Sequence, residues 1–578
     1  MLSPHRTLRY ALLVVLFAAL LYFGSSWPTY DRLRYDHRKH RLLVSGDIGM
    51  DYLVKSSFDW GSLPRRWPVS KVMDLPKGKP HLQPQIQADG RDSGSSYDER
   101  LESWRKEVKA TFLKGWRSYK EYAWMRDELA PISGNGKDTY GGWAATLIDN
   151  LDTLWIMDLK EEFIEAVEAV AKIDWANTTA IGCNVFETTI RHLGGLLAAY
   201  DLSGQRVLLI KATELGNMLY AAFDTPTRLP PFWLHFETVK NGELVGDVRQ
   251  PSASPGSLSL EFTRLSQLTG DPKYYDAISR ITNLLAESQG VTKIPGIWPK
   301  FVNTRDGQFR DGYHFTLGAL ADSLYEYLPK MHAMLGTTDA IYELLAKQSL
   351  SAIKDHILFR PMLPGRENIL FSGNAHVLDS GRIVKKPQVQ HLSCFTGGMF
   401  GLAGRLFDLP DYVDIGVQLT WGCIHAYNSF PTGIAPEVFT MLPCPSITLD
   451  ICDWDEEIWR AVGNMSLPEG YTEVRDAGYL LRPEAIESIF VLYRITGRRE
   501  YSDMAHKIFL NIQKATETKY GNAAIDDVRV TDSPTRRDSM EVSLSIPVAL
   551  NNKLTTDDRV SGYRRPSNIS ISSSLLPS

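Results

Sequence analysis

Cysteine is scarce in this chain: there are five in 578 residues. No Cys/His cluster has zinc-ligand spacing, which removes the zinc-finger and zinc-ribbon classes. The odd count leaves at least one thiol unpaired within the chain. No glycine-rich loop leads into a basic helix, so a phosphate-cradling nucleotide site is not indicated. Charge of one sign is also not in excess. The 63 Lys and Arg are set against 68 Asp and Glu, for a net charge of -5. That balance argues against nucleic acid as the main partner. Strand-like alternation is sparse along the whole chain.

What is present begins at the N-terminus. His5, Arg6 and Arg9 precede an apolar run from Tyr10 to Phe23. The run is short for a spanning helix and fits either a signal anchor or the core of a signal peptide. Gly24-Ser25-Ser26 offers a cleavage site, but the basic stretch Arg32 to Arg41 shows no processing signature. The expected order is a cytoplasmic tail (1–9), a signal anchor (10–26) and a chain sent into the secretory lumen, giving a single-pass type II membrane protein. Sequons at Asn177, Asn464 and Asn568 agree with that compartment. An oxidising lumen also permits disulfides. Cys394 and Cys423 lie on two apolar segments they could staple, and Cys444 and Cys452 flank a short loop.

Residues 27–96 read as a stem or linker, rich in Pro, Gly, Ser, Asp and Lys. From residue 97 to 541 the pattern is helical. Apolar residues recur at spacings of three and four in Phe163–Ile173, Thr188–Tyr200, Val207–Phe223, Leu258–Leu268, Tyr274–Glu287, Leu317–Leu328, Ala340–Leu358, Gly397–Phe407, Val413–Tyr427, Glu484–Ile495 and Tyr501–Thr516. Gly204, Gly270 and Gly497 each follow one helix and precede the next, as a left-handed C-cap would. Repeated helical hairpins predict an all-α closed ring or a solenoid. Residues 542–578 are polar, rich in Ser and Asn, and read as a disordered tail.

Three carboxylates stand out in this frame: Glu187 in FETTIRHLGG, Asp322 in LGALADSLYEYL and Glu484 in YLLRPEAIESIF. Acids gathered from distant helices suit the hydrolysis of a glycosidic bond, one protonating the leaving oxygen while another activates water or attacks. Each also has a plain structural reading. Glu187 and Arg191 are placed as an i,i+4 ion pair. Glu484 and Glu487 begin a helix, where acids offset the macrodipole. Asp322 on an apolar helix is costly without partners, which favours a functional role.

Six ordered segments carry more weight together. They are Tyr140–Leu159 (YGGWAATLIDNLDTLWIMDL), Phe186–Gly204, Ser254–Asp276, Thr316–Lys330, His391–Phe400 and Tyr479–Gly497. In these blocks the chain resembles the class I α-1,2-mannosidases, glycoside hydrolase family 47. The resemblance implies an (αα)7 barrel that removes α-1,2-linked mannose from high-mannose N-glycans with inversion. It implies Glu187 as general acid acting through water, Glu484 as general base and Asp322 as a third catalytic carboxylate. Arg191, Glu261, His391, Arg482 and Glu487 match sugar-pocket residues, and Cys394 and Cys423 match the family's disulfide. Leu320 stands where endoplasmic-reticulum members have Arg and Golgi members have Leu, which points to the Golgi type. A calcium ion at the barrel floor is implied as cofactor. After Glu541, however, the family's aromatic-rich helix and its Thr-Glu-Ala-His calcium motif do not follow. The expected barrel therefore lacks its last helices, and no metal-binding residue is assigned. The alternative expectation is a weakly active mannose-binding lectin of glycoprotein quality control.

Overall fold

The computed structural model describes residues 43–540, apart from Leu82, residues 89–94 and Ile447. The expected anchor, Asn568 and the tail from Glu541 lie outside the described residues. Among the described residues no helix is long and apolar enough to cross a membrane.

Five helical hairpins follow one another: Gly194–Ser203 with Arg206–Ala221, Ser259–Thr269 with Pro272–Gln289, Asp322–Met334 with Ala340–His356, Phe395–Leu406 with Pro410–Ser429, and Glu484–Thr496 with Glu500–Thr516. Gly204, Gly270 and Gly497 do end their helices at φ of 69°, 72° and 70°. A side chain there would clash with its own backbone, so glycine sets the turn. The first helix of each hairpin packs on the first helix of the next, and this inner row begins with Leu151–Ile156.

The second helices form an outer row that closes. Ser95–Tyr122, a charge-rich helix absent from the expected set, bridges its ends. It donates from Lys109 Nζ to Met157 O at 2.7 Å and pairs Lys120 with Glu165. On its other side Lys114 pairs with Glu517 at 2.7 Å and Trp104 stacks on His506. Lys507 reaches Asn428 at 2.7 Å, joining the last two outer helices. Seven helices make up this outer ring, counting Lys160–Val170.

Two expected helix boundaries need correction. The helix placed at Leu317–Leu328 runs from Asp322 to Met334. Thr316 ends a strand and Leu320 has φ of 81°, so helical geometry cannot start earlier. The helix placed at Thr188–Tyr200 is a short turn (Val185–Glu187), a π-helical stretch (Thr188–Leu193) and then Gly194–Ser203.

Residues 43–88, assigned to a linker by composition, are docked on the outer helices. Ile48, Trp60 and Ile86 are buried. Carboxylates of the ring accept from the backbone of this segment: Asp174 from Ser57, Asp224 from Arg66 and Trp67, and Asp276 from Met73. A segment without helical period is held because its N–H groups find acceptors at successive hairpins.

Among the described residues the strands are short and form six small sheets in the connections between helices. Cys394 is bonded to Cys423 and Cys444 to Cys452, while Cys183 is buried and free. The first bond closes a loop with a sequence separation of 29 residues. Replacing both of its cysteines with alanine is expected to cost about 3–4 kcal/mol, read from urea denaturation. A loss below about 1 kcal/mol would mean that packing alone holds this junction.

Candidate active site

The hairpin topology explains how distant acids meet. Every inner helix runs the same way, so the inner N-termini lie at one end of the ring. Glu187, Glu261, Asp322, Glu484 and Glu487 all occupy first turns of these inner segments. The spacing in sequence is large because each acid waits for a full hairpin to return.

Glu187 is positioned by Asn184, whose Oδ1 accepts the Glu187 N–H at 2.9 Å. Its carboxylate takes the Arg191 Nε–H at 2.9 Å, so the i,i+4 pair forms, but with Arg191 buried rather than on the surface. Arg191 also lies 3.7 Å from Asp149 and over the Tyr140 ring at 4.8 Å. Burial pushes Asp149 up to about 7, and Arg191 opposes that rise.

Asp322 is the first residue of its helix, and its Oδ1 accepts the Ser323 N–H at 2.9 Å. Burial pushes it up to about 7, with Ser323 and the Arg482 charge acting in the other direction. Glu484 is fully buried, and neither carboxylate oxygen has a hydrogen-bond partner in another residue among those described. Arg482 Nη1 lies 4.0 Å from it and His391 Nδ1 lies 4.0 Å away on another side. Burial pushes Glu484 up to about 8, against the pull of Arg482 and with a further push from Asp322. An unpartnered carboxylate in such a place is costly, and sites that bind ligands are where that cost persists.

His391 is neutral, because burial and then Arg482 drive it down to about 3. Its Nε2 meets Tyr427 Oη at 2.9 Å. The cation nearest Glu484 is thus Arg482, not His391. Leu481, at φ of 62°, turns the chain so that Arg482 and Glu484 face one space. Leu320 does the same ahead of Asp322 at φ of 81°, and its side chain remains exposed. Non-glycine residues held this way cost about 1–3 kcal/mol each and collect at functional sites.

Glu261 accepts the Tyr327 hydroxyl at 2.9 Å and is pushed by burial up to about 8. Glu487 sits 3.9 Å from Lys330, which is itself paired with Glu326. Burial and then Glu326 raise Glu487 well above the ordinary carboxylate range.

The structure therefore gathers Asp322, Glu484, Arg482, His391 and Glu487, with Glu261 joined through the Asp322 helix. Glu187 and Arg191 form the adjoining wall. The two walls are linked by residues 253–256, which pack on both and donate from Ala253 N to Leu320 O at 3.1 Å. Three site residues escaped the sequence reading. Glu437 holds Arg482 at 2.5 Å and takes the Leu480 N–H at 2.8 Å. Its signal was a lone acid in the apolar stretch Ile434–Phe439. Glu326 and Lys330 had a signal too, an i,i+4 ion pair inside an apolar helix.

Glycosyl hydrolase family 47 matches residues 111–544, which include every residue named above. The chain belongs to this family. Among curated relatives of this family 47 chain is the probable mannosyl-oligosaccharide alpha-1,2-mannosidase 1B of Neosartorya fischeri. It is 33% identical over 448 residues, covering 75% of this chain and 86% of that protein. The human endoplasmic reticulum mannosyl-oligosaccharide 1,2-alpha-mannosidase is 35% identical, covering 76% of this chain and 58% of that protein. The solved alpha-1,2-mannosidase from Trichoderma reesei matches with a TM-score of 0.71 and 29% identity, over 79% of this chain and 94% of that one.

Calcium is compatible with family 47 membership, and the donor set tests it. Among the described residues no group of three or more His, Cys, Asp or Glu side chains could hold a metal. The buried acids face Lys330 and Arg482 instead. The described residues supply no carboxylate or imidazole cluster for a calcium ion, and no chemical step is derived through one.

Proposed function

We propose that this family 47 chain hydrolyses α-1,2-linked mannose at the ends of high-mannose oligosaccharides, with inversion at the anomeric carbon. The observation that carries it is that Glu187, Asp322 and Glu484 each occupy the first turn of an inner segment, and these first turns share one end of the row. Family membership and the names of the relatives support the linkage and the sugar. The architecture we assign is an (αα)7 barrel short of its last helices: among the described residues the outer ring has seven helices and the inner row six.

Inversion places the acid and base on opposite sides of the bond, roughly 6.5–9.5 Å apart, with a water between base and sugar. Glu187 sits on one wall and Glu484 on the other, which suits that division. In this reading Glu187 delivers a proton through water to the leaving oxygen. Glu484 takes the proton of the attacking water, and Asp322 orients that water. Arg482, Arg191, His391, Glu261 and Glu487 bind sugar hydroxyls, and Leu320 borders the leaving arm. The chain would work in the secretory pathway, anchored by residues 10–26, which lie outside the described residues.

Proton NMR of the first-formed sugar tests the proposal, with β-mannose expected before mutarotation. Release of α-mannose first, or binding without release, would overturn it. The latter outcome would favour the lectin alternative. The pH profile tests the roles. A base works only when ionised, so kcat/KM is expected to rise as pH climbs towards about 8, where Glu484 loses its proton. A fall over the same range would exchange the roles of acid and base.

A further inference from the structure

A cavity of about 380 Å³ lies beside the catalytic walls and includes none of the proposed catalytic acids. Its size is in the range of small-ligand clefts. Trp233, His235, Glu243, Asp247, Arg249 and Arg305 line it. Trp233 is 38% exposed, an uncommon position for so large an apolar ring.

Two connections tie this cavity to the reaction centre. Trp233 pairs in register with Asn184, the residue that caps Glu187. On the other side, Gln250–Pro251 pairs with Phe301–Val302, and Ser252 and Ala253 donate to Lys300 O and Leu320 O. The cavity is thus flanked by the strand serving Glu187 and the loop preceding Asp322.

The lining combines rigid parts with unspent polar groups. Asp247 takes the Phe232 N–H at 2.6 Å, and Arg305 Nε donates to Gly246 O at 3.1 Å, fixing the 241–249 loop. Arg249 lies flat on the Phe301 ring at 3.6 Å, which orients its guanidinium without using its N–H donors. Neither Arg249, Glu243 nor His235 has a side-chain hydrogen bond among the described residues. An aromatic face beside free donors and acceptors complements a pyranose, with C–H groups on one face and hydroxyls at its edge.

We infer that this cavity is a second saccharide subsite, holding a branch of the mannose oligosaccharide that is not being cut, with Trp233 as its platform. The inference rests on the mannosidase reading for its substrate class. Trp233 then determines specificity: it selects branched oligosaccharides over short ones.

The full chain and its Trp233→Ala, Trp233→Phe and Arg249→Ala variants test this on a branched α-1,2-terminated mannose oligosaccharide and on α-1,2-mannobiose. In Trp233→Ala the ratio of kcat/KM for oligosaccharide over disaccharide is expected to fall at least tenfold, through KM. Arg249→Ala is expected to lower it in the same direction, and Trp233→Phe to keep it within threefold. NMR titration with a branched mannose oligosaccharide lacking α-1,2 linkages gives a second measure that needs no turnover. Its Kd should weaken at least tenfold in Trp233→Ala. A ratio and a Kd both within twofold of the parent would overturn the subsite, as would equal losses in Trp233→Phe and Trp233→Ala. If the parent chain releases no mannose, the mannosidase reading fails, while the titration still decides whether the cavity binds sugar.

Discussion

Glu484→Gln is expected to lower kcat at least a thousandfold and yet make the protein more stable at pH 8. The kinetic part follows from removing the proposed base, since a positioned base contributes about 10²–10⁴-fold. The stability part follows from burial. Among the described residues no other residue hydrogen-bonds either Glu484 oxygen, and burial pushes its pKa up to about 8 from 4.5. The folded state therefore keeps the proton longer than the unfolded state does. Below the unfolded value both states are protonated and nothing is lost. As pH rises from 4.5 towards 8, the unfolded chain gives up its proton first and folding stability drops. Glutamine removes that dependence. The expected gain is on the order of 4 kcal/mol at pH 8 and shrinks towards zero near pH 4.5. Urea denaturation at both pH values measures it. A variant that is less stable at pH 8, or equally stabilised at both, would refute this account of the buried acid. The balance is the familiar one in which a site keeps a group the fold alone would discard.

Lys330→Met should act in the opposite direction. Lys330 is buried with Glu326 and Glu487, and the neighbouring Glu326 helps to raise Glu487 above the ordinary carboxylate range. Taking away the cation leaves two acids side by side in a space closed to water. Removing one partner of a buried pair costs about 3–5 kcal/mol. Adding Glu326→Gln to Lys330→Met should recover more than half of the loss, because one uncompensated charge is removed with it. A single-variant cost below about 1 kcal/mol, or no recovery in the double variant, would show that the cluster is held by packing. Mannose release should fall as well, if Glu487 binds sugar hydroxyls as proposed.

How much of this could be read from the sequence depends on distance along the chain. The hairpins were legible because a helix writes its period locally, and Gly204, Gly270 and Gly497 mark the stops. Ser95–Tyr122 was not, because its charged residues obscure the apolar stripe that packs on both ends of the ring. The start of the Asp322 helix was placed five residues early. Leu320 looks helical by composition, and only the left-handed turn it adopts forbids it. The linker-like segment 43–88 gave no sign of docking, since its attachments are backbone N–H groups reaching Asp174, Asp224 and Asp276. Sequence carries no record of which carboxylate a backbone N–H will meet.

The site divides in the same way. Glu187 with Arg191 and Glu484 with Glu487 were visible as local pairs, and the family blocks gave the remaining candidates. Glu437 was missed because its partner, Arg482, is 45 residues away in the chain. Trp233 passed as one more aromatic until its exposure beside a cavity set it apart.

By itself the sequence determined the helical repeat, the family and which acids to watch, all of which are written in spacing and in local motifs. Tertiary structure alone decided what those acids experience. Inner helices running one way bring their first turns together, and the surrounding protein removes water from Asp322 and Glu484. Desolvation depends on everything packed around a group, and no local stretch of sequence contains that. For the same reason, only the folded ring could show Lys330 between two acids and Trp233 open at the edge of the site.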